Sequence, residues 1–153
     1  MVRFFSLLYF KYELMKRILF LIAIALLSIE ALNGQTTDSL KYKVITGKEF
    51  QKGFTDNRDA VLIDSRDYKD YRKSRIPGAV HVDWPIPEEY FKGKDAPPKD
   101  KPLYIYCYAG NRSKKVSVVF YDHGYRNIYS LKGGFDGWRI NKMPFEKKRL
   151  PRR

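Results

Sequence analysis

A single cysteine, Cys107, stands between a short apolar run, Leu103 to Tyr106, and a segment in which Val116, Val119, Phe120 and His123 recur at i, i+3, i+4 and i+7. The run has the length of a buried strand and the spacing is that of a helix face. Gly124 supplies a left-handed residue to end that helix, with apolar Tyr125 behind it. A thiol between two such elements sits at the carboxyl end of a strand and faces a helix N-terminus, where unpaired N–H groups and the positive end of the macrodipole meet. That field favours thiolate over thiol. The connecting residues are Tyr108, Ala109, Gly110, Asn111, Arg112 and Ser113. Gly110 lets the backbone curl so that several amides point inward, and Arg112 adds a fixed positive charge. The loop has the composition of a cradle for an anion carried on sulfur. A lone cysteine ending an apolar strand can equally be a packed small hydrophobe. Such a residue has no need of the glycine, the arginine and the helix start that follow Cys107.

The elements that must position this loop can be taken in order. Lys41 to Ile45 is expected as a first strand, and Thr46 caps a helix to which Glu49 reaches back, with Phe50 and Phe54 facing the core together. Ala60 to Ile63 is a continuous apolar run that ends in the polar D-S-R-D of Asp64 to Asp67, a buried strand meeting a loop. Tyr68 to Ser74 reads as a short charged helix, and Arg75-Ile76-Pro77-Gly78 turns the chain into a third strand, Ala79 to Asp83. The segment from Trp84 to Lys101 holds four of the eight prolines and is expected to be irregular, with one helical turn at Glu88 to Phe91. A fourth strand delivers Cys107, Asn127 to Leu131 makes a fifth, and Gly133-Gly134 precedes a last short helix containing Phe135 and Trp138. Short apolar strands alternating with helices predict an α/β fold, a five-stranded, mostly parallel sheet with helices on both faces. Ligands of such sheets bind at the carboxyl ends of the strands, where Cys107 lies.

Four stretches in this order, V-L-I-D-S-R-D, R-I-P-G-A-V-H-V-D, Y-I-Y-C-Y-A-G-N-R-S and G-Y-R-N-I-Y-S-L-K-G-G-F-D-G-W, resemble a single-domain rhodanese over roughly residues 44–140. The resemblance implies a rhodanese-like fold and a sulfurtransferase that accepts sulfane sulfur on cysteine as a persulfide. Cys107 matches the family nucleophile, and Tyr108 to Arg112 match its active loop, whose amides cradle the persulfide. Tyr108 departs from the arginine that many members carry after the cysteine. Asp64 and Arg66 match a further family position, read here as a structural salt link. The expected path is ping-pong. Thiolate Cys107 takes the outer sulfur of a small anionic donor such as thiosulfate, and a thiol, or cyanide in an assay, then removes it. Two other readings stand beside this one. A rhodanese-like module can serve binding without turnover, and phosphatases on the same fold place five residues between cysteine and arginine. Four separate Cys107 from Arg112, which fits sulfur and crowds phosphate.

Composition bounds the partners. The 153 residues carry a formal net charge of +13. Residues 139–153 hold seven of the thirty Lys and Arg residues against one acid, a net of +6, and residues 1–34 a net of +2, so the excess is partly a targeting segment and partly a basic tail, and no nucleic-acid partner is expected. Such a tail is normally just solvated; its functional alternative is weak contact with an anionic membrane surface. One cysteine permits no internal disulfide, and His81 and His123 with Cys107 give no metal-ligand spacing, so neither metal nor cofactor is expected. Residues 1–34 read as a secretory signal peptide, with Met15-Lys16-Arg17 as a second, better-formed start and an apolar run from Ile18 to Leu27. Cleavage is expected after Gly34, with export to the periplasm or the exterior. An uncleaved membrane anchor is the alternative, although the run is short of the ~20 residues a span needs. Residues 35–43 then form a linker, 44–140 the domain and 141–153 the tail.

Overall fold

The computed structural model describes residues 12–22 and 41–147. Contacts divide the chain into two units, residues 1–38 and 39–153. In the first, residues 12–22 are helical. No helix among the described residues is long and apolar enough to cross a membrane. The expected cleavage point and the second half of the apolar run lie outside the described residues.

The second unit is built on a five-stranded sheet of β1 (Lys43–Ile45), β2 (Val61–Asp64), β4 (Val80–His81), β5 (Leu103–Tyr106) and β6 (Ile128–Leu131), in the order β1-β6-β5-β2-β4. Every neighbouring pair is parallel. β5 lies at the centre, its four residues all buried, with Ile105 opposite Ile63 on one side and Ser130 on the other. Alternation sorts its side chains between two cores. Leu103 and Ile105 join Ile63, Val116, Phe120 and Ile128, whereas Tyr104 and Tyr106 join Phe50, Leu62, Phe135 and Trp138.

Helices cover both faces. α1 (Gly47–Asp56) begins with the expected capping box: the Thr46 hydroxyl accepts from the Glu49 amide and the Glu49 carboxylate accepts from the Thr46 amide. Its Phe50 is fully buried and meets Tyr104 edge-on at 5.3 Å. α2 (Tyr68–Lys73) follows β2, α3 (Asn111–Asp122) follows the cysteine, and α4 (Gly134–Ile140) follows β6. A single 3₁₀ turn, Glu88–Lys92, interrupts the proline-rich segment.

Two features differ from the sequence reading. The third strand pairs only over Val80 and His81, because after the Val82 amide has bonded to the Asp64 carbonyl the chain turns away, and Pro85 has no N–H to continue a ladder. The segment counted with the basic tail is folded as far as Lys147. β7 (Glu146–Lys147) pairs antiparallel with β3 (Ser74–Arg75), the Trp138 indole N–H donates to the Pro144 carbonyl at 2.8 Å, and Phe145 meets Phe135 edge-on at 5.7 Å. Two-residue strands carry no alternation for a sequence pattern to register.

Candidate active site

Cys107 leaves the central strand where β5 ends and α3 has yet to begin. Its side chain is 3% exposed. The turn from strand to helix needs a left-handed residue, and Gly110 provides it with φ +99 as the N-cap of α3. That turn aims two amides at the sulfur. The N–H of Gly110 donates to Cys107 Sγ at 3.2 Å and that of Ser113 at 3.3 Å. The Ser113 hydroxyl lies 3.7 Å from Sγ, donates to the Gly110 carbonyl at 3.0 Å and sits 2.9 Å from the Ser130 hydroxyl on β6. Dipoles fixed in this way can hold negative charge on the sulfur, or on an atom attached to it, without reorganising.

The loop is turned inward by its carbonyls as much as by its amides. The first amides of α4 have no partner within their own helix. The N–H of Phe135 donates to the Cys107 carbonyl at 2.8 Å and that of Asp136 to the Tyr108 carbonyl at 3.0 Å. Close approach at this point is possible because Gly134, with φ +57, has no side chain: a Cβ there would stand 2.2 Å from the Tyr108 oxygen. The Gly133-Gly134 pair was legible in the sequence only as the start of a helix. Its place beneath the active loop follows from the packing of α4 against β5, which no local pattern encodes.

Asp64 and Arg66 lie beneath the loop as a fully buried ion pair. Arg66 Nε donates to both carboxylate oxygens and Nη2 to Oδ2 at 2.6 Å, and Nη2 also donates to the Ser74 carbonyl at 2.5 Å. The Arg66 guanidinium is 4.0 Å from the centre of the Phe135 ring. Tyr106 completes the layer: its phenol oxygen accepts from the Ile76 amide at 3.1 Å, and burial, followed by the Asp64 charge, pushes its pKa far above the ordinary tyrosine range. Neither Arg66 nor Asp64 has surface left for a substrate.

Arg112 was expected to attract the donor anion and to steady the loop. Its Nη1 donates to the Ser65 carbonyl at 3.1 Å and to Asp67 Oδ1 at 2.8 Å. The guanidinium thereby fastens the start of α3 to the corner between β2 and α2. Asp67 and Ser65 are the residues here that sequence reasoning missed; Ser65 is buried, with its amide and its hydroxyl both donating to the Tyr106 carbonyl at 2.9 Å. Tyr108, Ala109 and Asn111 are exposed along the mouth. Tyr108 lies 5.6 Å from the Arg66 guanidinium, and burial together with the Asp70 carboxylate raises its phenol above the usual value.

His81 and His123 take no part. His81 Nε2 lies 2.7 Å from the Arg66 carbonyl, and His123 stacks on Phe91 with ring centres 3.7 Å apart. Among the described residues no group of His, Cys, Asp or Glu could hold a metal ion.

Comparison with known proteins places this geometry. A family model described as a rhodanese-like domain matches residues 46–141. The chain belongs to the rhodanese-like family. It is 37% identical over 90 residues to the thiosulfate sulfurtransferase GlpE of Glaesserella parasuis, a match covering 59% of this chain and 81% of that protein. It is 36% identical over 84 residues to the GlpE of Coxiella burnetii, covering 55% and 76%. Among solved structures, the polysulfide-sulfur transferase homodimer of Wolinella succinogenes has a TM-score of 0.62 at 19% identity, covering 81% of this chain and 93% of that one. That likeness speaks for the rhodanese fold alone.

Proposed function

We propose that this rhodanese-like protein, a sulfurtransferase that takes sulfur from a donor and passes it to a thiol acceptor, carries the sulfur as a persulfide on Cys107. The observation that supports this is the convergence of the Gly110 and Ser113 amides on Sγ at 3.2 and 3.3 Å, at the N-terminus of a twelve-residue helix. With thiosulfate as donor, the Cys107 thiolate attacks the sulfane sulfur; the new S–S bond forms as the bond to the sulfonate sulfur breaks, and sulfite leaves with the electron pair. A thiolate, or cyanide in an assay, then takes the outer sulfur and returns the thiolate. Both enzyme forms are anionic, and the same amides serve each.

The test is the intact mass of the purified chain after incubation with thiosulfate. A gain of one sulfur atom that cyanide removes as thiocyanate, and that Cys107→Ser lacks, is expected. Cys107-dependent hydrolysis of aryl phosphate without thiocyanate would instead favour the phosphatase reading. Failure to load sulfur while a partner binds would favour the binding module.

We further propose export, on the strength of the basic start at Met15 to Arg17 and the apolar run behind it. Expression in a Gram-negative host should yield periplasmic protein beginning at Gln35. N-terminal sequencing that returned Met1 or Met15 from a membrane pellet would favour the anchor.

A further inference from the structure

The active loop, residues 107–113, contains one cation, Arg112. That cation gives one nitrogen, Nη1, to two acceptors, the Ser65 carbonyl at 3.1 Å and the Asp67 carboxylate at 2.8 Å, so the Asp67 charge already offsets its own. The second arginine nearby, Arg66, is buried and neutralised by Asp64. Burial raises the Tyr108 phenol first; the Asp70 and Asp136 carboxylates add to the rise and the Arg66 charge opposes it. Tyr108 itself, 45% exposed, and exposed Ala109 directly follow Cys107 in the loop and present an aromatic ring and a methyl group to solvent. A dianion that approaches Cys107 therefore meets amide dipoles and an already paired arginine, with carboxylates at the rim. A donor with one charge or none, and with an organic group to lay on the tyrosine, meets the same dipoles with less repulsion.

We propose that Asp67 is a specificity-determining residue of the sulfur-loading step, one that withholds Arg112 from the donor and so favours organic hydropersulfides, RSSH, over thiosulfate. This rests on the sulfurtransferase reading above. In the step itself the Cys107 thiolate attacks the outer sulfur of RSSH. The bond from Cys107 Sγ to that sulfur forms, the bond between the two donor sulfurs breaks, and the thiolate RS⁻ departs with the electron pair, taking a proton from solvent. No oxidant or reductant is needed, because the outer sulfur keeps its sulfane state.

The experiment compares loading of Cys107 from thiosulfate and from 2-hydroxyethyl persulfide, a donor with a neutral organic group, and reads the ratio of the two kcat/KM values. Asp67→Asn keeps an acceptor oxygen for Arg112 and removes the charge. It should raise the thiosulfate-to-persulfide ratio by about tenfold and make thiosulfate loading more sensitive to salt. Arg112→Ala leaves Asp67 unpaired and should lower the ratio. The double variant removes both charges and should return the ratio close to that of the wild type. A ratio that stays within about twofold of wild type in both single variants would overturn the proposal, as would a double variant more displaced than either single. Asp67 would then be only an anchor for the loop. Failure of the wild type to load from either donor would overturn the sulfurtransferase reading as well, so the two failures are distinguishable.

Discussion

A Cβ on Gly134 would lie 2.2 Å from the Tyr108 carbonyl oxygen and 2.6 Å from that of Cys107, so the active loop rests directly on glycine backbone. Both obstructing groups are main chain, held by the Phe135 and Asp136 amides, and neither can rotate aside. Gly134→Ala should therefore displace the loop as well as strain a residue at φ +57. The expected result is a loss of at least ~2 kcal/mol of stability, with sulfur loading reduced about a hundredfold or more. Gly78→Ala separates strain from collision, because Gly78 has φ +81 but open space where its Cβ would go. It should cost about 1 kcal/mol and leave loading intact. Urea unfolding and intact-mass loading of both variants check this; equal losses in the two would mean the contact at Gly134 is irrelevant.

The buried pair of Asp64 and Arg66 should behave as a unit. Removing one partner strands the other's charge in the core, with a cost of about 3–5 kcal/mol. Arg66→Met and Asp64→Leu are each expected to lose that much in urea unfolding. The double variant should lose less than either single, since no uncompensated charge remains. Simple addition of the two losses would show that each side chain acts through separate contacts, such as that of Arg66 with Phe135.

Much of the fold was legible because its elements carry strong local signals. The Thr46–Glu49 capping box, the apolar run of β5 and the helical spacing after Cys107 each depend on residues close in sequence, and each element lies where its pattern put it. The cysteine loop was legible for the same reason: strand, glycine turn and helix start are contiguous. What could not be read were contacts that join distant segments. The commitment of Arg112 to Asp67 spans forty-five residues, and the seat of Tyr108 on α4 depends on an absent side chain. A sequence shows that Arg112 carries a charge, but not which carboxylate the fold brings to it.

His123 lies between two acceptors, the Val119 carbonyl 2.8 Å from Nδ1 and the Glu88 carboxylate 3.0 Å from Nε2. Only the imidazolium can donate to both. The hydrogen bond to Val119 and then that to Glu88 raise its pKa above the ordinary 6.5. A raised folded-state value means that the contact stabilises fully below the unfolded pKa and is lost as pH rises through the folded one. Glu88 is exposed and His123 half-buried, so solvent screens the pair and less than about 1 kcal/mol is at stake. Thermal unfolding of wild type and His123→Gln should differ most below the ordinary histidine pKa and converge as pH rises past the raised folded-state value. A gap that widened with pH would mean that His123 acts as a neutral ring stacked on Phe91.

The fold-back of residues 144–147 makes the last prediction, because it packs the first part of the segment counted with the basic tail against the domain. Pro144 offers its carbonyl to the indole of Trp138, a side chain only 1% exposed, and Phe145 covers Phe135, whose ring in turn covers Arg66. A chain ending at Lys147 keeps all of these contacts and should unfold within about 0.5 kcal/mol of the full-length protein. A chain ending at Met143 leaves the indole N–H without its acceptor and exposes one face of Phe135. It should lose about 2–4 kcal/mol, from the unsatisfied donor and the uncovered apolar surface together. Because Phe135 donates its amide to the Cys107 carbonyl, sulfur loading should fall in the shorter chain even where it remains folded. Urea unfolding and intact-mass loading of the two truncations decide the matter. If the Met143 chain matched the Lys147 chain in both, the β3–β7 pair would be incidental to the site; if both lost stability equally, residues 148–153 would carry the effect.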